Sequence, residues 1–436
     1  MNTRFYNARI LKLKGLDIAN EMFEVIEGEV WVEGNRITHV GRVEDGKESP
    51  KFDKEIDAEG NLLMPGFKNA HTHSPMTFLR SYADDMPLHD WLHKQVFPME
   101  AKLTGEDIYH LSKLANLEYL TSGITSNLDM YYHPEEVARA SVDMGFRTVI
   151  NGSVTNFTGS VEDNIKYLKE NFDKLNSYND LISFKIGFHA EYTCSGELLE
   201  AIADLANELK EPVYAHSSET QSEVDDCIKR YGKTPTKYFD SIGMYNYGGG
   251  AYHCVFVTEE DLDIMLRKNV SIVHNPSSNL KLASGIAKVQ RMVDLGINLA
   301  IGTDGPASNN ALDMFREMWL TTALQKVSEK NAAAVDADKV LYMATKGGAM
   351  AMGLSDVDTL EVGKLADIIM IDLNQPNMQP INNITKNIVY SGSKQNVKLT
   401  MVDGKILYKD NEFFVNADPK EIYAKANEII KEKKRA

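Results

Sequence analysis

Cysteine is scarce in this chain, with Cys194, Cys227 and Cys254 the only three in 436 residues and no C-x-x-C among them. An odd, sparse set builds no disulfide frame and predicts free thiols in a reducing, cytoplasmic compartment. A basic stripe is also missing: 63 acidic side chains outnumber 47 basic ones, for a net charge of −16, and the one basic run, Lys433 to Arg435, stands at the far C-terminal end. Nucleic acid is therefore not an expected partner. No stretch approaches the ~18 apolar residues that cross a bilayer, and the opening MNTRFYNARILKLKG lacks the apolar core of a signal peptide, so no membrane partner is expected either. H-E-x-x-H is absent. His189, Ala190 and Glu191 spell H-x-E, but the P-C-x-x-C that supplies the remaining zinc ligands in that kind of site does not follow.

What is present is ordinary globular composition, 43% hydrophobic and 25% charged, in a strongly periodic order. Residues 1–60 read as strands and turns, with alternation either side of Glu33, Gly34 and Asn35. Similar material returns in residues 361–436, where ADIIMIDL and the hairpin signal Asp403, Gly404 precede a terminal helix. The two ends are expected to pair into one small β-sandwich domain. Between them, over 61–360, eight short apolar runs (62–71, 124–130, 147–153, 182–190, 212–217, 250–257, 270–275 and 298–304) alternate with helical candidates such as 260–268 and 285–296. Eight β/α units with near-continuously apolar strands predict a closed, parallel (β/α)8 barrel of the TIM type, hence an α/β fold. An open doubly wound sheet is the alternative. Its first β-to-α turn would carry a glycine-rich phosphate fingerprint, where this chain has histidines.

Those histidines carry the chemistry. His71 and His73 stand two apart at the end of a strand-like run, so both imidazoles leave one face. His216, in VYAHSSET, and Asp304, in LAIGTDGPASNN, fall at the ends of later runs and complete the three or four N/O ligands of an open catalytic metal site. In a parallel barrel, strand C-terminal ends share one mouth, and His189, His253 and His274 fall there too. Each residue alone has an ordinary structural reading: a lone strand-end histidine is more often a satisfied core or surface group, and Glu219 could be an acidic charge favoured at a helix N-terminus. The regular placement of all four ligand candidates favours a site. His89, His93, His110 and His133 lie in helical or loop stretches and read as surface or structural residues, and Cys254 as a small core residue.

The motifs AHTHSPMTFLRSYADD, AHSSE, YHCV, VHNPSSNLKLASGIAKV, IGTDGPASNN and KLADIIMIDL together resemble the amidohydrolase superfamily, in its branch of 5'-methylthioadenosine/S-adenosylhomocysteine deaminases and their chlorohydrolase relatives. The resemblance runs over essentially the whole chain. It implies one divalent metal on His71, His73, His216 and Asp304, zinc by preference, with Fe2+, Mn2+ or Ni2+ compatible with the donors. It further implies that Glu219 is the proton shuttle and His253 the residue that orients the attacking water. By the same resemblance His189 contacts the purine and Glu100 grips the ribose hydroxyls, a chemically apt role for a carboxylate facing a diol. Trp91 would pack on the nucleoside, with ordinary helix packing an equal reading. Strand 4 carries His189 at its end and Lys185 deeper, so one metal is expected rather than two bridged by a modified lysine.

The chain departs from this family where substrate breadth is set. Asn151 and Ser160 align where relatives that accept S-adenosylhomocysteine place arginines, and Glu191 replaces a commonly neutral residue and could repel an anionic tail. Arg80 is the other cation that could serve a carboxylate. A small-molecule nucleoside is the expected partner, and a homo-oligomer is compatible with the sequence. Two other readings stand beside deamination of an adenosine-type nucleoside: another hydrolase on the same site, acting on guanine, a triazine or a halogenated heterocycle, and a non-enzymatic barrel that keeps its metal for structure.

Overall fold

The computed structural model describes residues 1–14, 22–44, 49–86 and 90–435, and His89 lies outside them. Two sheets organise the chain. Strands β1 (Asn2–Leu13), β2 (Phe23–Glu33), β3 (Arg36–Gly41), β4 (Lys54–Asp57) and β5 (Leu62–Pro65) open the first sheet. Eight strands of the second follow: β6 (Phe67–Thr72), β7 (Ile124–Met130), β8 (Arg147–Asn151), β9 (Ile182–Ala190), β10 (Val213–Ser217), β11 (Gly249–His253), β12 (Val270–His274) and β13 (Leu299–Ile301). The chain then returns to the first sheet with β14 (Ile368–Ile371), β15 (Val397–Val402), β16 (Lys405–Lys409) and β17 (Glu412–Phe413), and ends in the helix Pro419–Lys433.

The second sheet runs in chain order from β6 to β13, and every neighbouring pair is parallel. Its strands are buried on both faces, as in β7, where all seven residues of ITSNLDM are buried, which explains their near-continuous apolar character. The seam between β13 and β6 is closed just beyond the short β13 by a side chain: Thr303 N donates to Asn69 Oδ1 (2.8 Å), Asn69 Nδ2 donates to Thr303 Oγ1 (2.7 Å), and Asp304 N donates to His71 O (3.0 Å). This nearly closed parallel barrel is the expected one.

The terminal segments build one nine-stranded sheet, largely antiparallel, in the order β17-β16-β15-β14-β5-β1-β2-β3, with β4 alongside β1. Phe5, Ile10, Val30, Leu63, Ile368 and Met401 share its apolar core. The sheet curls until the tips of its two hairpins meet, where Asn35 Nδ2 donates to Asp403 Oδ1 (3.0 Å). The expected small β domain of the two chain ends is thus built from one continuous curled sheet. The expected first barrel run, 62–71, divides: β5 pairs with β1 and β14 in the terminal sheet, and the chain crosses into the barrel at Gly66. An apolar run buried on both sides reads the same in either sheet, which is why the crossing was not legible. The two sheets are joined below the barrel by the buried pair Arg147–Asp367, with Nε to Oδ2 at 2.9 Å and Nη2 to Oδ1 at 3.2 Å.

Helices flank the strands, and their starts follow local rules. Thr104 with Asp107, Ser160 with Asp163 and Thr258 with Asp261 form reciprocal capping boxes at the helices Gly105–Thr121, Val161–Leu175 and Glu259–Arg267. The helix expected over 285–296 covers only Val289–Asp294. Gly285 has φ +139°, a conformation that breaks the preceding turn, and a Cβ there would meet Val255 Cγ1 at 2.9 Å. The loop this frees brings Ser284 and Leu282 to the barrel mouth.

Candidate active site

The C-terminal ends of the barrel strands deliver His71, His73, His216 and Asp304 to one point, where one ligand atom from each lies within 4.8 Å of the others, all four residues buried. Several strand ends reach it through left-handed backbone: Ser218 (φ 54°), His253 (φ 70°), Cys254 (φ 49°) and Asp304 (φ 56°). Outside glycine this costs on the order of 1–2 kcal/mol per residue and persists only where surrounding contacts impose it. Here it swings side chains off their strand direction into the mouth.

The histidines are oriented from behind. His73 donates Nδ1–H to Met130 O (2.6 Å) and His216 donates Nδ1–H to His189 O (2.7 Å), so each turns Nε2 inward. His73 Nε2 lies 3.2 Å and His71 Nε2 3.5 Å from Asp304 Oδ1. His71 is fully buried, stacks on Tyr252 at 3.8 Å between ring centroids, and finds a hydrogen-bond partner for neither ring nitrogen. A buried imidazole with no partner is costly unless something coordinates it. Asp304 is braced by Gly305 N on Oδ1 (2.8 Å) and by Ser278 Oγ (2.5 Å) and Ser308 Oγ (3.0 Å) on Oδ2.

Electrostatics favours a cation here. Burial pushes His71 down to about 3 and, with its imidazole neighbours, His216 well below its usual value. For His73 burial acts the same way, but the hydrogen bond and charge of Asp304 outweigh it and raise the group to about 9. Burial would raise Asp304, yet the His71 and His73 imidazoles beside its Oδ1 hold it well below the carboxylate range. Three neutral nitrogens and one carboxylate are what a divalent ion of the zinc type takes.

Around this centre lie His253, Glu219, Glu100, His189 and Trp91, all lining one cavity with Met76, Leu92, Tyr131, Tyr132, Tyr192, Leu282 and Ser308. His253 donates Nδ1–H to Asn279 Oδ1 (2.7 Å) and turns Nε2 to within 4.0 Å of Asp304 Oδ2. Glu219 Oε1 is 3.8 Å from His253 Nδ1 and accepts from Ser284 Oγ (3.4 Å), and burial raises its pKa. Glu100 accepts from Tyr131 OH (2.6 Å) and burial pushes it up to about 7. Burial, helped by the nearby His73, lowers His189 to about 4. A second cavity of about 540 Å³ shares Phe97, Glu100, Tyr132 and His189 with the first and is otherwise walled largely by Ala101, Leu103, Ile108, Thr155 and Phe157.

Other expectations are redirected. Asn151 is inside the barrel, donating to Tyr252 OH (3.2 Å), and Ser160 is the exposed N-cap of its helix; neither lines the cavity. Period-two alternation turns Asn151 inward, and helix capping claims Ser160. Glu191 is fully buried against the Arg230 guanidinium, so it carries no free charge toward a ligand. Arg80 is tied to the Glu118 carboxylate and to Asn310 O. His274 is buried, has no hydrogen-bond partner for either ring nitrogen, and does not line the cavity. His93 and His133 are exposed, and His110 faces Glu106. Cys254 is buried as expected. Sequence reasoning overlooked Asn279, Ser278, Ser308, Tyr131 and Glu223. Only Glu223 left a signal, in the T-x-x-E pattern of Thr220 to Glu223.

A parallel barrel that gathers three histidines and an aspartate at its strand ends defines a metal-dependent hydrolase. The chain belongs to the amidohydrolase family, whose model matches residues 62–407. It is 40% identical over 418 residues to a 5-methylthioadenosine/S-adenosylhomocysteine deaminase of Caldanaerobacter subterraneus, covering 94% of each chain. It is 41% identical over 420 residues to a 5'-deoxyadenosine deaminase of Methanobrevibacter smithii, covering 95% of each. Among solved structures it is similar to a zinc-bound adenosine deaminase of Xanthomonas campestris, with a TM-score of 0.93, 32% identity, and coverage of 100% of this chain and 99% of that one.

Proposed function

We propose that this protein hydrolytically deaminates the adenine 6-amino group of adenosine-type nucleosides, with one zinc ion held by His71, His73, His216 and Asp304. The observation that carries the reading is Glu219: a buried carboxyl with raised pKa, facing the same cavity as the metal cluster, where a purely structural metal site needs no acid. Such an ion supplies an activated water nucleophile at neutral pH. The remaining work falls to side chains. Attack at C6 gives up ring aromaticity, so N1 must be protonated as it proceeds, and Glu219, whose proton affinity burial raises, donates that proton. His253, fixed by Asn279, turns Nε2 toward the attacking oxygen, and Asp304 accepts the water proton and passes it on as ammonia departs. His189 and Trp91 flank the purine. Glu100, on the wall common to both cavities, takes the ribose hydroxyls, which leaves the 5' position directed into the outer cavity.

Relatives named for methylthioadenosine, S-adenosylhomocysteine and 5'-deoxyadenosine support this substrate class. The test is ammonia release by the purified, zinc-loaded protein from adenosine, 5'-methylthioadenosine, S-adenosylhomocysteine, guanine and a triazine. Turnover of the nucleosides alone is expected, and Glu219→Gln should lower kcat by at least ~10²-fold with metal retained. Preference for guanine or the triazine would overturn the assignment.

A further inference from the structure

Glu223 is a buried carboxylate that the proposed chemistry does not use. It sits in the first turn of the helix Gln221–Tyr231, three residues beyond the N-cap Thr220, whose Oγ1 accepts from Glu223 N (3.2 Å). A glutamate at that position ordinarily reaches back to the N-cap amide. Here it reaches further: Oε1 accepts from Ser218 N (2.7 Å) and Oε2 from Glu219 N (2.8 Å). Both oxygens are thus spent on the two amides that precede the cap, one belonging to the left-handed Ser218 and the other to Glu219 itself. The charge of Glu223 is compensated by those two backbone donors, by the N-cap Thr220 amide, which also favours the carboxylate, and by the helix N-terminus. The opposite side of the turn is held by Phe256 N, which donates to Ser218 O (2.9 Å) and links it to the stretch following His253.

We infer that Glu223 is a positioning residue for deamination: it clamps the Ser218–Glu219 turn and so sets where the Glu219 carboxyl meets the substrate. The inference rests on the reading of Glu219 as proton shuttle. A structural contact would be served by any group that fills the volume, whereas a clamp with two acceptors on adjacent amides tolerates neither loss of one acceptor nor a shorter reach. In Glu223→Gln one oxygen is replaced by an NH2 group, which confronts an amide N–H donor with another donor. In Glu223→Asp the charge stays but the carboxylate withdraws by one carbon.

The test is a double-mutant cycle on the zinc-loaded protein with adenosine, measuring kcat, KM and bound metal for wild type, Glu223→Gln, Glu219→Gln and the double variant, with Glu223→Asp alongside. Misplacement of a reacting group on the scale of 1 Å costs up to ~10²-fold, so kcat of Glu223→Gln and of Glu223→Asp should fall ~10- to 100-fold with KM changed less than about threefold and metal content unchanged. In the Glu219→Gln background the same change should cost less than about twofold, because the group it positions is already disabled. An undiminished kcat in both Glu223 variants, or an equal loss in both backgrounds, would overturn the proposal. Should the double variant fall below detection, amide exchange decides: faster exchange at Ser218 and Glu219 in Glu223→Gln supports the clamp, and unchanged protection refutes it. A Glu219→Gln protein that keeps its turnover would instead refute the shuttle reading.

Discussion

The charge of the 5' substituent should decide which nucleoside this enzyme prefers. Among the described residues, no lysine or arginine lines either of the two cavities that meet at Glu100 and His189. The cations nearby are engaged elsewhere: Arg80 with Glu118, Lys281 with Asp84 and Asn310, and Arg230 with Glu191. A third cavity of about 750 Å³, sharing Tyr132 and Ser153 with the first, is walled by Glu135, Glu136, Asp163 and Glu170 with Lys174, which already pairs with Glu135 at 2.7 Å. An α-carboxylate on the 5' tail therefore meets no lysine or arginine in these cavities, a charge-assisted interaction worth about 1.5–3 kcal/mol, and only His93 and His133 line the second cavity as possible cations. A methylthio or 5'-deoxy end instead buries apolar surface against Leu103, Ile108 and Phe157. The expected outcome is a kcat/KM for 5'-methylthioadenosine ~10- to 100-fold above that for S-adenosylhomocysteine. Steady-state assays on both, at low and at 0.5 M salt, would check it. Equal efficiencies at low salt that diverge as salt rises would refute the reasoning, since they would require a cation serving the tail.

Three further outcomes follow from the same geometry. His71→Ala combined with His73→Ala should leave the protein folded and nearly free of zinc by elemental analysis; full occupancy in that double variant would remove the ligand assignment. Burial raises Glu100 to about 7, so the carboxylate proposed to hold the ribose diol is present above that pH and lost below it; on that proposal KM for nucleosides should rise as pH falls through 7, and Glu100→Gln should have a uniformly high KM without that inflection. Arg147→Ala strands the buried Asp367 carboxylate between barrel and terminal sheet and should cost about 3–5 kcal/mol in denaturant unfolding, against which a loss under 1 kcal/mol would count.

The barrel was legible because its signal repeats. Eight apolar runs, each followed by helical periodicity, leave few architectures, and chemistry-bearing residues at successive run ends point to one mouth. What escaped was decided by pairing partners rather than by composition. Leu62–Pro65 and Phe67–Thr72 form one apolar stretch in sequence, and only the edges offered by β1 and β14 on one side and β7 on the other divide it. The truncated helix at Val289 had a readable cause in Gly285, but a single glycine inside a helical pattern is often tolerated, so the pattern outweighed it.

In the candidate site, the sequence displays the residues proposed to touch metal or substrate, which the structure brings to one barrel mouth, but not those that aim them. The reason is physical. A ligand must be a particular residue type at a strand end, which sequence displays, whereas an orienting partner need only supply an acceptor at the right place. His73 and His216 are aimed by the carbonyls of Met130 and His189, which every residue possesses, and Asp304 by two serine hydroxyls from separate short helices, Pro276–Lys281 and Pro306–Asn309. Glu317 extends this one layer out. Its buried carboxylate accepts from Ser277 N (3.0 Å) and Asn309 Nδ2 (2.9 Å), tying together the two short helices whose next or preceding residues, Ser278 and Ser308, hold Asp304. Glu223 and Glu317 thus occupy matching stations behind Glu219 and Asp304, each a buried acid whose acceptors fix a loop rather than react. Since a buried carboxylate is costly unless its hydrogen bonds are met, such residues also make the loops cooperative: each loop conformation stays low in energy only while the acid behind it is fully satisfied.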